Sequence, residues 1–435
     1  MYNFSAFTQE DRCEILKKIG ASSVEELFAH IPQEARTELN LPEGMSEFEA
    51  YSEIKKLASK NNLSFRSFLG GGCYNRFIPA AISSVASRFE FITAYTPYQP
   101  EISQGTLQMI YEFQSMICSL AGMDVANASV YDGATACAEA VLMAVRTKRK
   151  NKILISEGIN PEYKKVIETY SHGVGVQVDY LPVEDDFKTK SAEISSDYAC
   201  ILIAMPNYYG SLENIEKTAK SAQDAGVLFV VCADLVSLSQ IKPPSEFGAD
   251  IVVGDFQSLG LPMNYGGPHG GYMATKSAHM RQMPGRIVGA SLDKEGKRAF
   301  TLTMQAREQH IKRERATSNI CTNQGLMTLC ATVYMSLMGY NGLKKVFLSS
   351  VQNAKKLASK LCQIEGFELC NSDFAYEFVL KLPVNSDAFL EKMQSKGILA
   401  GIKISENKIL VCTTEITTEE DVETYIEAAK EIADE

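Results

Sequence analysis

Six short runs of apolar, largely β-branched residues constrain this chain more than any other feature: 152–156, 176–181, 199–206, 227–234, 251–256 and 271–275. Most are continuous in polarity rather than alternating, and stretches with helical period lie between them. Strands of that kind are buried on both faces, which a mostly parallel sheet covered by helices provides. The predicted fold class is α/β. In such sheets ligands gather at the carboxyl ends of the strands, so the segments that follow these runs are where chemistry is expected.

The 435 residues leave room for two or three domains. Residues 1–62 carry helix-start signals, Thr8 before Gln9-Glu10-Asp11 and Ser23 paired with Glu26, and predict an N-terminal helical arm. A large domain is expected over 63–325. It opens with segments rich in Gly, Pro and aromatics, Gly70-Gly71-Gly72-Cys73-Tyr74 and Tyr95-Thr96-Pro97-Tyr98-Gln99-Pro100-Glu101, which fit neither period and read as ordered functional loops. Residues 326–435 read as a small α/β domain with an antiparallel sheet. Its strands are expected at 374–382, 398–404 and 408–413, with a helix at 387–396 and a capping box, Thr417 with Glu420, opening a final helix.

Composition narrows the function classes. Lys+Arg number 43 and Asp+Glu 53, a net charge of −10 that offers no broad field for nucleic acid. The 11 cysteines form no C-x-x-C pair, and Cys200, Cys232 and Cys412 sit in apolar runs, so reduced thiols and a cytoplasmic location are expected. Met1-Tyr2-Asn3-Phe4 has no signal-peptide character, and no run approaches the roughly 18–20 apolar residues of a membrane span. No ligand spacing around His269 or His310 suggests a metal, and there is no G-x-G-x-x-G nucleotide fingerprint.

Two motifs each admit two readings. Tyr131-Asp132-Gly133-Ala134-Thr135-Ala136 feeds a helix N-terminus, where backbone N–H groups and the Thr135 hydroxyl suit a phosphate; equally, Asp132 caps that helix and Gly133 permits the turn. Met205-Pro206-Asn207-Tyr208-Tyr209-Gly210 follows one strand and Asp234 ends the next, placed either to pair with a protonated ring nitrogen or to cap a loop.

Taken in order, these motifs resemble pyridoxal-phosphate enzymes of the aspartate-aminotransferase fold (fold type I). The stretches 68–74, 95–105, 131–136 and 307–324 resemble the P-protein of the glycine cleavage system along nearly the whole chain. In that fold the lysine that holds the cofactor follows the strand after the ring-binding Asp. Here the corresponding text is Asp255-Phe256-Gln257-Ser258-Leu259-Gly260, with no lysine between Lys242 and Lys276. Ser258 stands in register with the missing amine, and a hydroxyl cannot form a Schiff base.

The resemblance therefore implies an α chain of an α2β2 glycine decarboxylase, with pyridoxal phosphate held covalently by the β subunit. The implied partners are that second P-protein subunit, glycine and the lipoylated H-protein. It implies that Tyr95, Tyr98, Gln99 and Glu101 reach the partner's site. Thr317, Ser318 and Asn319 would donate to the partner cofactor's phosphate, while Gly133, Ala134, Thr135 and Asp234 would be vestigial cofactor contacts in this chain. The plainer alternatives are that Tyr95 and Tyr98 only anchor an interface and that Thr317-Ser318-Asn319 starts a helix. Arg307, Lys312, Arg313 and Arg315 then form a solvated face. A catalytically silent structural or regulatory subunit is the alternative function.

Overall fold

The computed structural model describes residues 6–37 and 40–434; the N-terminal tetrapeptide read above lies outside the described residues. The chain divides into two compact units, one ending at Ser64 and one beginning at Phe65.

In the first unit, α1 (Gln9–Ile19) starts at the expected box: the Thr8 hydroxyl accepts the Asp11 N–H and the Asp11 carboxylate accepts the Thr8 N–H. The same device, Ser46 with Glu49, opens α2 (Glu47–Ala58). Ser23 and Glu26 introduce only a single 3-10 turn, Glu25–Phe28, with the Glu26 carboxylate turned back to the Ser22 N–H at 2.7 Å.

The second unit is built on a seven-stranded sheet. After a short strand and two short helices between residues 66 and 92, the elements that form and flank this sheet are α3 (Gln104–Ala121), β1 (Val125–Ala126), α4 (Gly133–Lys148), β2 (Lys152–Ser156), α5 (Pro161–Val174), β3 (Gln177–Leu181) and β4 (Cys200–Met205). They continue with α6 (Ile215–Asp224), β5 (Leu228–Ala233), β6 (Ile251–Asp255) and β7 (Gly271–Thr275). The spatial order is β1-β7-β6-β5-β4-β2-β3. Strands β2 to β6 are mutually parallel, whereas β7 runs antiparallel to both β6 and β1. The segment between β6 and β7 contains no crossover helix, and a parallel return needs one.

Side chains of β4 show why its sequence is apolar throughout. Ile201 and Ile203 pack with Phe113 and Ile117 of α3 on one face, while Cys200 and Leu202 pack with Ala136, Ala140 and Val141 of α4 on the other. Small residues along α4 let that helix lie close over the strands it covers.

The long helix α7 (Gly325–Leu361), interrupted at Gly339 where φ is 56°, leads to a second, four-stranded antiparallel sheet. Its strands are β8 (Glu368–Leu369), β9 (Glu377–Lys381), β10 (Ile402–Ser405) and β11 (Lys408–Cys412), ordered β8-β9-β11-β10. Helices α8 (Ser386–Ser395) and α9 (Glu419–Asp434) cover it. The strand expected at 398–404 is broken: Ile398–Leu399 pairs in parallel with Arg66–Ser67 instead, and β10 begins only at Ile402. The final helix is capped one residue beyond the expected box. Thr418 and Asp421 exchange the capping bonds, at 2.9 and 3.1 Å, because the Thr417 hydroxyl accepts the Thr414 N–H. Among the described residues no helix is long and apolar enough to cross a membrane.

Candidate functional site

The carboxyl ends of β4, β5 and β6 open into a cavity of about 80 Å3, closed on its far side by the glycine loop at 70–74 and by Glu377 of β9. Asp234, Asp255, Ser258, Tyr74, Tyr163 and Tyr208 line it.

At the start of α4, both readings of the turn receive an answer. Asp132 caps the helix, its carboxylate accepting the Thr135 N–H at 2.7 Å. The Gly133 N–H, the donor a phosphate would need, is taken by the Asp255 carboxylate at 3.1 Å. The space above Gly133 is also filled, since a Cβ built there would lie 2.4 Å from the Tyr163 hydroxyl. Burial pushes the Asp255 carboxyl up to about 6, against the opposing pull of the Gln257 N–H it accepts at 2.6 Å.

Asp234 lies just past β5 and accepts the N–H groups of Ser237 at 2.9 Å and Val236 at 3.4 Å, so it pins the following turn while still lining the cavity. Asn207 is a fastener for its own loop. Its amide donates to Glu213 and to the Phe187 carbonyl at 2.7 Å each, and its oxygen accepts from Tyr209 and Ser211. Ser258 is 5% exposed, lines the cavity, and has no hydrogen-bond partner among the described residues. Lys276 points away from this chemistry: its ammonium pairs with Asp250 at 2.8 Å, before the start of β6.

Sequence reasoning missed the residues that hold the glycine loop over the site. Glu377 accepts the Gly71 N–H at 2.6 Å and the Tyr74 hydroxyl at 2.8 Å, and burial raises its carboxyl to about 7. Gln257 braces the same loop, accepting from the Tyr74 N–H and donating to the Tyr74 carbonyl, both at 2.9 Å. The close approach requires glycine: a Cβ on Gly70 would lie 2.2 Å from Glu377 Oε1. The available signal was a lone charge inside the apolar run 375–380.

The remaining expected site residues lie elsewhere. Tyr95, Tyr98, Gln99 and Glu101 are exposed and none lines this cavity. Tyr95 is 86% exposed, while the Tyr98 hydroxyl accepts from the buried Arg286 guanidinium at 2.9 Å. Thr317, Ser318 and Asn319 border a separate, open cavity of about 660 Å3 with Glu139 and Arg146. They start no helix, because α7 begins only at Gly325. The Ser318 hydroxyl instead donates to the buried Glu139 carboxylate at 2.6 Å and accepts the Ile320 N–H at 3.1 Å. Of the basic run, Arg315 pairs with Glu314 on the surface, but Arg307 is partly buried and bonds the carbonyls of Met304 and Gly285. Among the described residues no cluster of His, Cys, Asp and Glu could hold a metal ion.

This architecture, with its strand-end crevice between two sheets, is that of the fold-type-I pyridoxal-phosphate-dependent enzymes. Glutamate decarboxylase of Lactobacillus brevis shares it, with a TM-score of 0.69 at 13% identity over 91% of this chain and 94% of that one. The likeness to one family is much closer. A crystal structure of glycine decarboxylase (P-protein) of the glycine cleavage system, in inhibitor-bound form, matches with a TM-score of 0.94 at 43% identity, covering 99% of this chain and all of that one. The probable glycine dehydrogenase (decarboxylating) subunit 1 of Geobacillus thermodenitrificans is 43% identical over 439 residues, 98% of each chain. The family model of the glycine cleavage system P-protein matches residues 4–428, and the chain belongs to that family.

Pyridoxal phosphate does not fit this chain's own crevice. Ser258 offers no amine, Asp255 occupies the N–H donor at the helix start, and Tyr163 fills the space beside it. A dianionic phosphate there would meet a buried carboxylate at the Gly133 N–H.

Proposed function

We propose that this chain is subunit 1 of a glycine dehydrogenase (decarboxylating), working with a homologous second subunit that carries pyridoxal phosphate on its own lysine in an α2β2 assembly. In the proposed reaction the bond between glycine's Cα and its carboxylate breaks and CO2 leaves. The aminomethyl carbon passes to one sulfur of the oxidised lipoyl disulfide on H-protein, and the other sulfur becomes a thiol. The cofactor in the partner supplies the electron sink for that cleavage.

The observation that carries this reading is the pairing of near full-length likeness to P-protein with Ser258 at the tether position. This chain's part is to complete the partner's site. The loop bearing Tyr95, Tyr98, Gln99 and Glu101 is exposed and available to reach across, with Tyr98 held by Arg286. At the second cavity the Ser318 hydroxyl is already donated to Glu139, so the Thr317 hydroxyl, the Asn319 amide and backbone N–H groups are the donors left for a partner's phosphate.

Glycine–bicarbonate exchange by the reconstituted pair tests this. Thr317→Ala and Tyr98→Phe are expected to lower turnover in complexes whose assembly is verified by mass. Unchanged turnover would assign the chain a silent structural role. Full exchange by the isolated chain would overturn the division of labour.

A further inference from the structure

The two segments proposed to reach a partner, 95–101 and 317–319, are tied to one buried ion pair. The Arg286 guanidinium, 3% exposed, donates through Nη2 to the Tyr98 hydroxyl at 2.9 Å and lies over the Tyr98 ring, 5.3 Å from its centroid. Its Nε faces Glu308 Oε2 at 3.6 Å, and the Glu308 side chain is itself only 10% exposed. The same carboxylate oxygen faces His310 Nδ1 at 3.7 Å, and the His310 ring makes a T-shaped contact with Tyr98. The connection then runs on to the second segment. Arg307 donates to the Gly285 carbonyl at 3.0 Å, and its own carbonyl accepts the Thr317 N–H at 3.1 Å. Gly285 precedes Arg286 and Arg307 precedes Glu308, so both paths share one backbone frame.

Stability alone does not account for this pair. Among the described residues Arg286 Nε, Arg286 Nη1 and Glu308 Oε1 are buried without a hydrogen-bond partner, whereas buried polar groups are ordinarily paired. A buried ion pair adds little net stability over apolar residues of the same volume, and its best-attested use is to fix register. Met304 at φ 58° and Arg313 at φ 51° bracket the Glu308 segment in left-handed conformations, which residues other than glycine keep only where their surroundings impose them.

We infer that Arg286 and Glu308 are positioning residues: the pair holds the Tyr98 hydroxyl and the Thr317 backbone in one fixed relation, so that both meet a partner's site together. The consequence for turnover rests on the function proposed above, but the coupling between the two segments does not.

Amide hydrogen exchange of the full-length chain, read by mass spectrometry, tests the coupling. In Arg286→Lys a single ammonium cannot serve Tyr98 and Glu308 as the planar fork does. Amide exchange should quicken about tenfold in peptides covering 95–102 and 316–320 alike, with β4 unchanged. Arg286→Met combined with Glu308→Leu should match the native chain in urea midpoint. In the reconstituted pair the same double variant should lower kcat for glycine–bicarbonate exchange about tenfold, with glycine KM within about twofold. Circular dichroism verifies folding; if the double variant does not fold, kcat of Arg286→Lys decides, and the same loss is expected. Faster amide exchange in 95–102 alone, or in neither segment, would overturn the coupling, and full turnover by the folded variants would overturn the positioning role. A native pair without glycine–bicarbonate exchange would sink the proposed function, and amide exchange would still decide the coupling.

Discussion

The Asp255 carboxylate accepts the Gly133 N–H at 3.1 Å, so the positive end of α4 is neutralised by a residue of the same chain. Asp255 ends β6 three residues before Ser258, so a carboxylate meets the helix-start N–H and a hydroxyl, not an amine, stands beyond it.

Restoring an amine alone should therefore be insufficient. Ser258→Lys mixed with pyridoxal phosphate is expected to show little visible absorbance and little borohydride-fixed adduct. Adding Asp255→Ala should free the helix-start N–H and raise adduct formation by at least about tenfold, the scale of one charge-assisted hydrogen bond. Strong labelling of the single variant would contradict the role given to Asp255.

Stability should fall as pH rises through the window set by Glu377. Its carboxyl titrates at about 7 in the folded chain against 4.5 as the ordinary value, so the folded state binds the proton more tightly than the unfolded state. The contribution is complete below 4.5 and is lost as pH climbs through 7, amounting to up to about 3 kcal/mol. Asp255 acts with the same sign over a lower range. Urea midpoints measured from pH 5 to 8 should decline for the native chain and change less for Glu377→Gln; parallel slopes would remove Glu377 as the cause.

Gly210 is a position where a methyl group cannot be accommodated. It adopts φ 81°, and a Cβ would lie 2.0 Å from the Glu377 carbonyl oxygen. Gly210→Ala is expected to lower stability by about 2–4 kcal/mol through combined backbone strain and overpacking, read as a shift in the urea midpoint.

Ser318 has a structural task separable from any part in a partner's site. Among the described residues it is the sole hydrogen-bond donor to the Glu139 carboxylate, whose other oxygen is buried with no partner among them. Ser318→Ala should cost the isolated chain about 1–3 kcal/mol, and Ser318→Ala combined with Glu139→Leu should recover part of it. Thermal melts of the chain alone report this without interference from assembly.

The strands were legible because burial on both faces writes them as unbroken apolar text, as in β4 and β5. The crevice was legible only in part. Asp255 is visible as a charge that ends such a run, but its partner Gly133 lies 122 residues earlier, and nothing local in the sequence joins them. The final cap slipped by one residue because Thr417 with Glu420 and Thr418 with Asp421 satisfy the same pattern. A tertiary demand on the Thr417 hydroxyl, from the Thr414 N–H, decides between them. The antiparallel sense of β7 is likewise a matter of connection length, which composition does not encode.

Filling the helix start with an internal carboxylate also bears on when this polypeptide matures. A protein that binds a ligand only when folded gains stability with the ligand's concentration, by mass action. Here no such dependence on vitamin supply arises at Gly133, because the counter-charge is made on the ribosome along with the helix it serves. On the division of labour proposed above, the chain can finish its core during B6 starvation, and nutritional sensitivity falls to the second subunit.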